Sequence, residues 1–151
     1  MKSWLPAVFL AAALCAHAAG PGGSAICIGG TLPEFTAGLK GAVRTAEPDA
    51  FVFASGTSTI RIPYARIGIV EYGQEVGRRV LLGYMVSPMF LLLKKRAHYV
   101  TLGFTDASDR QQVLVLRVDK SFIRSMLATL EARTGRAVRY LDHEARKSRQ
   151  G

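Results

Sequence analysis

The chain has 151 residues, of which 49% are apolar and 21% are charged, and its formal net charge is +9. This composition excludes a disordered polyelectrolyte and is typical of one globular domain with one hydrophobic core. A charge this positive would favour nucleic acid as the partner of a cytoplasmic protein, whereas an exported protein would instead meet anionic lipid head groups or acidic polysaccharide.

The N-terminus has the pattern of a secretory signal peptide. A positive charge precedes an apolar run over residues 4–14, and the tripeptide Ala-His-Ala at 16–18 has the small-x-small form of a cleavage site. The run is shorter than the ~20 residues that cross a bilayer. We therefore predict a signal peptide over 1–19, cleaved near Ala18 or Ala19, and export to the periplasm or the extracellular medium.

Removal of the signal would leave a single cysteine, Cys27, which has no partner for an internal disulfide. Its two isoleucine neighbours favour a small buried hydrophobe over a reactive thiol. The glycine-rich segment 20–24 predicts a flexible linker. We assign 20–38 to a linker and an N-terminal segment, in which 25–28 can open as a strand.

Short strands separated by turns are predicted from residue 39 onward. Weak alternation at 39–45 and the phenylalanines of 50–54 indicate two strands. The strongest β pattern is a hairpin, in which 98–105 and 112–118 alternate around the polar turn 106–110.

The segment 59–73 predicts a strand, a corner and a second strand. Ile62 belongs to an alternating pattern that stops at Pro63, because proline lacks the N–H that a strand ladder needs. Alternation then resumes, with Ile67 and Ile69 on one face.

The period changes after the hairpin. Apolar residues recur at helical spacing and predict an amphipathic helix over 120–134, capped by Asp119 or Ser121 and ending before Gly135 at the C′ position. The apolar stripe, which we expect to face the core, consists of Phe122, Ile123, Met126, Leu127 and Leu130.

The predicted domain spans 39–141, and its last residues, 138–141, are expected to add a short strand. The polar and basic segment 142–151 predicts a flexible tail.

An uncharged segment, 80–93, lies between basic residues on both sides. As a pair of core strands bent at Pro88, it would supply the apolar material that a small β domain needs. The other interpretation is an apolar loop inserted at a membrane surface, with the basic residues at anionic head groups. The lipid-binding residues would then be Arg78, Arg79, Met89, Phe90, Lys94, Lys95 and Arg96.

Five segments follow one another in a specific order: AFVFA at 50–54, TIRIPYARIGIVEYG at 59–73, HYVTLGFTD at 98–106, QVLVLRVD at 112–119 and SFIRSMLATLEARTG at 121–135. This order resembles the pleckstrin-homology-like (PH-like) superfamily, including its bacterial and GRAM-like branches. The resemblance implies a mainly β fold, in which a bent antiparallel sheet of six or seven strands forms a partly open barrel capped by the C-terminal helix. It also implies a module that binds peptides or lipid head groups. The apolar segment 80–93 departs from the usual pattern.

Motifs for catalysis, cofactors or metals are absent from the sequence. The two histidines beyond the signal, His98 and His143, have no neighbours at metal-ligand spacing, and neither a nucleophile elbow nor a P-loop occurs. We therefore expect a non-enzymatic module without cofactors that binds an envelope protein or peptide and no nucleic acid. The alternatives are a peripheral membrane protein bound to anionic lipid through 80–93, and a small hydrolase with an unrecognised site.

Overall fold

The structure is a computed structural model that describes residues 22–56, 58–74, 97–141 and 146–147. The predictions made for 1–19, for 80–93 with its basic flanks, and for most of the tail concern residues outside this part of the chain.

Eight strands and one helix make up the described part. The strands are β1 (Gly22–Gly30), β2 (Lys40–Arg44), β3 (Ala50–Ser55), β4 (Ser58–Pro63), β5 (Ile67–Gly73), β6 (His98–Thr105), β7 (Gln111–Val118) and β8 (Arg139–Tyr140). The helix, α1, spans Lys120–Thr134, and a 3-10 turn, Tyr64–Arg66, joins β4 to β5. A mainly β fold with one helix near the C-terminus is thereby confirmed, as is the strand that ends at Pro63.

The strands form one open sheet in the order β4-β3-β2-β1-β7-β6-β5-β8. All neighbours are antiparallel except β5 and β8, which are parallel and pair Glu71 with Arg139 and Tyr72 with Tyr140. The sheet thus has one strand more than the six or seven predicted, and it is mixed rather than wholly antiparallel. The eighth strand, β8, lies within 138–141, where a short strand was predicted. It forms because the chain turns at Gly135 and returns along the outer edge of β5.

Strand β1 begins inside the segment that was predicted to be a linker. Residues 22–24 pair with β2, so the prediction of a linker over 20–24 is wrong for these three residues. A Cβ added to Gly23 would lie 2.2 Å from the ring of Phe122. The glycine therefore serves the close approach of helix and strand rather than flexibility, which composition alone does not distinguish.

The alternation predicted for β5 is broken near its start. Ile67 is 2% exposed and Ile69 is 44% exposed, so the two side chains do not share a face. The pairing of β5 with β6 shifts between these residues, and such a β-bulge moves the later side chains to the opposite face. Val70 and Tyr72 consequently join Ile67 in the core.

Helix α1 covers the inner face of the sheet and packs against β1, the 3-10 turn and β5. All five residues of its predicted apolar stripe are buried. Their burial is worth roughly 1.5–3 kcal/mol each before conformational entropy is subtracted. Gly135 ends the helix at φ 66°, and its N–H donates to the carbonyl of Glu131, as predicted for a C′ glycine.

A smaller apolar cluster lies on the opposite face of the sheet. It consists of Ile28, Tyr99, Val113 and Val115, with Ile26 and Ala97 packed against it. These residues alternate along β1, β6 and β7 with residues of the main core. The middle of the sheet is therefore apolar on both faces.

Candidate functional site

The predicted lipid-binding residues all lie outside the described part of the chain: Arg78, Arg79, Met89, Phe90, Lys94, Lys95 and Arg96. Within the described part, the candidate site lies where α1 begins. Two cavities adjoin there, and both are lined by His98 and Lys120. We call them the basic cavity and the apolar cavity.

The basic cavity has a volume of about 660 Å³ and lies against the first half of β1, the start of β2 and the end of β7. Ile26 of β1 pairs with Lys40 on one side and with Arg117 on the other. Directly opposed residues of neighbouring strands point to the same face of a sheet. The two cations therefore flank Ile26 on the outer face, and Lys120 adds a third cation at the start of the helix.

These cations have little opposing charge. Among the described residues, Lys40, Arg117 and Lys120 form no ion pair, although five ion pairs occur elsewhere in the same part of the chain. Of the described residues that line the basic cavity, Asp119 is the one acidic residue. The cavity consequently carries a net positive charge and favours an anionic group.

The apolar cavity, of about 420 Å³, lies between α1, β5 and β8. Ile123 and Leu127 line it from the helix, and Tyr72 and Tyr140 line it from the sheet. The two tyrosine rings meet edge to face, with centroids 5.8 Å apart. This aromatic contact positions β8 as a wall of the cavity.

His98 stands between the cavities and is held by Tyr72. Its Nδ1 lies 2.7 Å from the tyrosine hydroxyl, and the two rings stack with an interplanar angle of 9°. Burial lowers the pKa of His98 from its usual value, and the nearby charge of Lys120 lowers it further. The imidazole is therefore held in its neutral form more strongly than an exposed histidine, and neutral Nδ1 can accept a hydrogen bond from the hydroxyl.

Other titratable groups have structural partners. The carboxylate of Asp106 accepts hydrogen bonds from Gln112 and from the backbone N–H groups of Ser108 and Arg110 in the β6–β7 turn. The bond from Gln112 is the main reason why the pKa of Asp106 falls to about 2. This aspartate therefore stabilises its turn.

Cys27 is fully buried, and its Sγ lies 3.3 Å from the carbonyl oxygen of Phe35. Burial raises the pKa of the thiol to about 11. A thiol of this kind has almost no thiolate at neutral pH, so the interpretation of Cys27 as a small buried hydrophobe is confirmed.

The sequence showed no pattern that joins the residues of this site. Lys40, Arg117 and Lys120 come from three distant segments, and β1 brings the first two together by pairing with both β2 and β7. His98 begins a predicted strand and has no neighbours at metal-ligand spacing, so the sequence gives no sign of its place in this site. The one signal in the sequence is that Arg117 occupies an outward position of β7 directly after the apolar run 113–116.

Within the described ranges, no group of three histidine, cysteine or acidic residues could hold a metal ion. In the same residues, no helix combines the length and the hydropathy needed to cross a bilayer.

Comparison with protein-family models finds no matching family. Comparison with curated proteins finds no match either.

Proposed function

We propose that this chain is an exported, non-enzymatic binding module of PH-like architecture, which recognises a protein or peptide of the cell envelope. The observation that carries the proposal is the strand order. Strands β1 to β7 pair in an antiparallel manner with their neighbours in the sheet, in the order β4-β3-β2-β1-β7-β6-β5. Helix α1 follows β7 directly and packs on the inner face of the sheet. This is the order that the resemblance of the sequence implies, and β8 is an addition to it.

The site at the start of α1 supports binding rather than turnover. Among the described residues, three cations converge on the basic cavity, beside one carboxylate, Asp119, and one histidine, His98. The carboxylate of the apolar cavity, Glu131, accepts a hydrogen bond from the backbone N–H of Val138. Hydrolysis by a general acid and base needs titratable groups in complementary protonation states near a reacting atom. A cluster of lysine and arginine side chains instead provides fixed positive charge for an acidic partner.

Photo-crosslinking in cells that export the protein tests this function. A photoreactive residue at Arg124, which lines the apolar cavity, should give a discrete adduct with one envelope protein. The matched control carries the photoreactive residue at Thr59, on the edge strand β4. Adducts that are absent at Arg124, or that are the same at both positions, would contradict the proposal.

A second candidate function is binding to an anionic membrane surface. The observation in its favour is that Gln74 and Ala97, the described residues that precede and follow 75–96 in sequence, both line the candidate site. Gln74 lines the apolar cavity and Ala97 lines the basic cavity, and the N–H of Ala97 donates to the carbonyl of Gln74 at 3.3 Å. The unpaired cations of the site would then add to those of residues 78, 79 and 94–96.

Co-sedimentation with vesicles tests the membrane candidate. Binding to vesicles that contain phosphatidylglycerol, but not to neutral phosphatidylcholine vesicles, is expected at low salt and should weaken as salt screens the charges. Replacing Met89 and Phe90 with serine separates the two roles of 80–93. A folded variant that no longer sediments would support insertion, and an unfolded variant would support a place in the core.

A further inference from the structure

We propose that the basic cavity and the apolar cavity together bind one single-chain amphiphilic anion, with its charged head group in the basic cavity and its hydrocarbon chain in the apolar cavity. This inference concerns a small ligand and does not depend on the protein or peptide partner proposed above.

The first step is the shared wall of the two cavities. His98 and Lys120 line both cavities. Lys40 and Arg117 lie on the outer face of the sheet and α1 covers the inner face, so a ligand that occupies both cavities passes round the end of β6 and β7, where His98 and Lys120 lie. The volumes, about 660 and 420 Å³, each fall in the range of small-molecule sites. A ligand with two chemically different halves is therefore matched to the site.

The second step is the charge of the head group. Lys40 and Arg117 lie on the two strands that flank β1, so their backbones are roughly 10 Å apart, which is twice the spacing of neighbouring strands. Long side chains from both positions can reach a single group between them. A phosphate or a carboxylate is the class of group that lysine and arginine bind.

The third step is the chemistry of the remaining surface. Ile26, Ala97 and Val118 line the basic cavity beside the cations. Tyr72, Ile123, Leu127 and Tyr140 give the apolar cavity an aromatic and aliphatic surface, and Ala128 lies on its exposed side. The polar lining residues of this cavity are Gln74, His98, Lys120, Arg124 and Glu131. An inorganic ion would leave this apolar surface in contact with water, whereas a hydrocarbon chain would cover it.

Titration calorimetry with the purified protein tests the inference. The probes are octyl phosphate and octanoate, and the matched controls are inorganic phosphate, which lacks the chain, and octanol, which lacks the charge. At least one amphiphile should bind saturably and at least tenfold more tightly than both controls. Whichever of octyl phosphate and octanoate binds more tightly identifies the preferred head group as phosphate or carboxylate. Saturable binding of neither amphiphile, or equal binding of inorganic phosphate, would overturn the proposal.

Two variants assign the halves of the ligand to the cavities. The double substitution R117Q/K120Q should weaken binding of the amphiphile at least tenfold, while R136Q, which removes an exposed arginine outside both cavities, should leave it unchanged. Ala128→Phe should remove the advantage of the octyl chain without changing the binding of inorganic phosphate. Because Ala128 is exposed, this change is compatible with folding.

The remaining outcomes are also decisive. If the double variant binds the amphiphile as tightly as the wild type, the site lies elsewhere and the proposal fails. If the protein binds phosphatidylglycerol vesicles and no soluble amphiphile, the membrane candidate is favoured instead. A discrete adduct at Arg124 in cells, without any amphiphile binding, would leave the partner-binding function in place and overturn only the present inference.

Discussion

The two ends of helix α1 use positive charge in different ways. At its last turn, the Arg133 guanidinium lies 5.5 Å from the centroid of the Tyr64 ring and donates to the carbonyl of Glu47 at 3.0 Å. The nearby Arg61 is also paired, with the carboxylates of Glu47 and Asp49. At the first turn, Lys120 faces a cavity and forms no ion pair with any described residue.

This difference separates charges that stabilise the fold from charges that remain available for a ligand. A cation that contacts an aromatic face and a carbonyl oxygen contributes to stability. Like charges that share a cavity repel one another, and their removal relieves the repulsion. The helix thus has one end whose cation is paired, the closed end, and one end whose cation forms no ion pair with the described residues, the open end.

The largest effect on stability is expected in the middle of α1, where the helix packs against the sheet. Met126 is fully buried, so M126A should lower the free energy of unfolding by about 2–5 kcal/mol in urea denaturation. The matched control is R124A, on the exposed side of the same helix, with an expected change below about 0.5 kcal/mol. Similar losses in both variants would contradict the packing described for α1.

The second largest effect on stability is expected where the first turn of α1 contacts β1. Gly23→Ala should cost about 1–3 kcal/mol of stability, because the added Cβ would lie 2.2 Å from the Phe122 ring. In a double-mutant cycle, the same change in the Phe122→Ala background should cost less, since the ring is gone. Additive losses would show that Gly23 and Phe122 do not approach each other closely.

A smaller effect is expected at the closed end. Gly135 has a φ of 66°, so Gly135→Ala should lower stability by about 1 kcal/mol, and Gly135→Asn by less, because asparagine tolerates the left-handed conformation. Thermal unfolding followed by circular dichroism measures both variants. An alanine variant as stable as the wild type would exclude the left-handed cap.

The open end should give a pH dependence of stability. The folded-state pKa of His98 is lowered from 6.5, so the unfolded chain takes up a proton first as pH falls. Stability is therefore complete above pH 6.5 and declines below it until the folded-state pKa is reached. The charged and titratable groups that line the two cavities together with His98 are Lys40, Tyr72, Arg117, Asp119, Lys120, Arg124, Glu131 and Tyr140.

The matched variant for this pH effect is His98→Gln, which should remove the decline below pH 6.5. A second decline should remain at lower pH in both proteins. The pKa of Asp106 is lowered from 3.8 to about 2, so its contribution is present above pH 3.8 and is lost as pH falls toward 2. An unchanged decline near pH 6 in the glutamine variant would exclude His98 as its source.

Much of the fold could be predicted because local patterns determine it. The apolar stripe of α1, the C′ glycine and the alternation of β6 and β7 all depend on near neighbours in sequence. The bulge in β5 and the place of residues 22–24 in β1 could not be predicted from near neighbours in sequence. Both depend on contacts with distant strands or with α1.

The candidate site was less predictable than the fold for the same reason. A cavity formed by β1, β2, β6, β7 and α1 requires the strand order before its lining can be named. Lys40 and Arg117 are separated by most of the domain in sequence and are brought to either side of Ile26 by pairing alone. Outward basic residues in strands are ordinarily interpreted as a solvated face.

The most direct test of the contrast between the two helix ends is the unfolding free energy of R133Q and K120Q, measured in one buffer with and without octyl phosphate. Without the amphiphile, R133Q should lose roughly 0.5–1 kcal/mol and K120Q should be as stable as the wild type or more so. With the amphiphile, R133Q should gain as much stability as the wild type, and K120Q should gain less. Loss of stability in K120Q alone, or equal stabilisation of both variants by the amphiphile, would contradict the account.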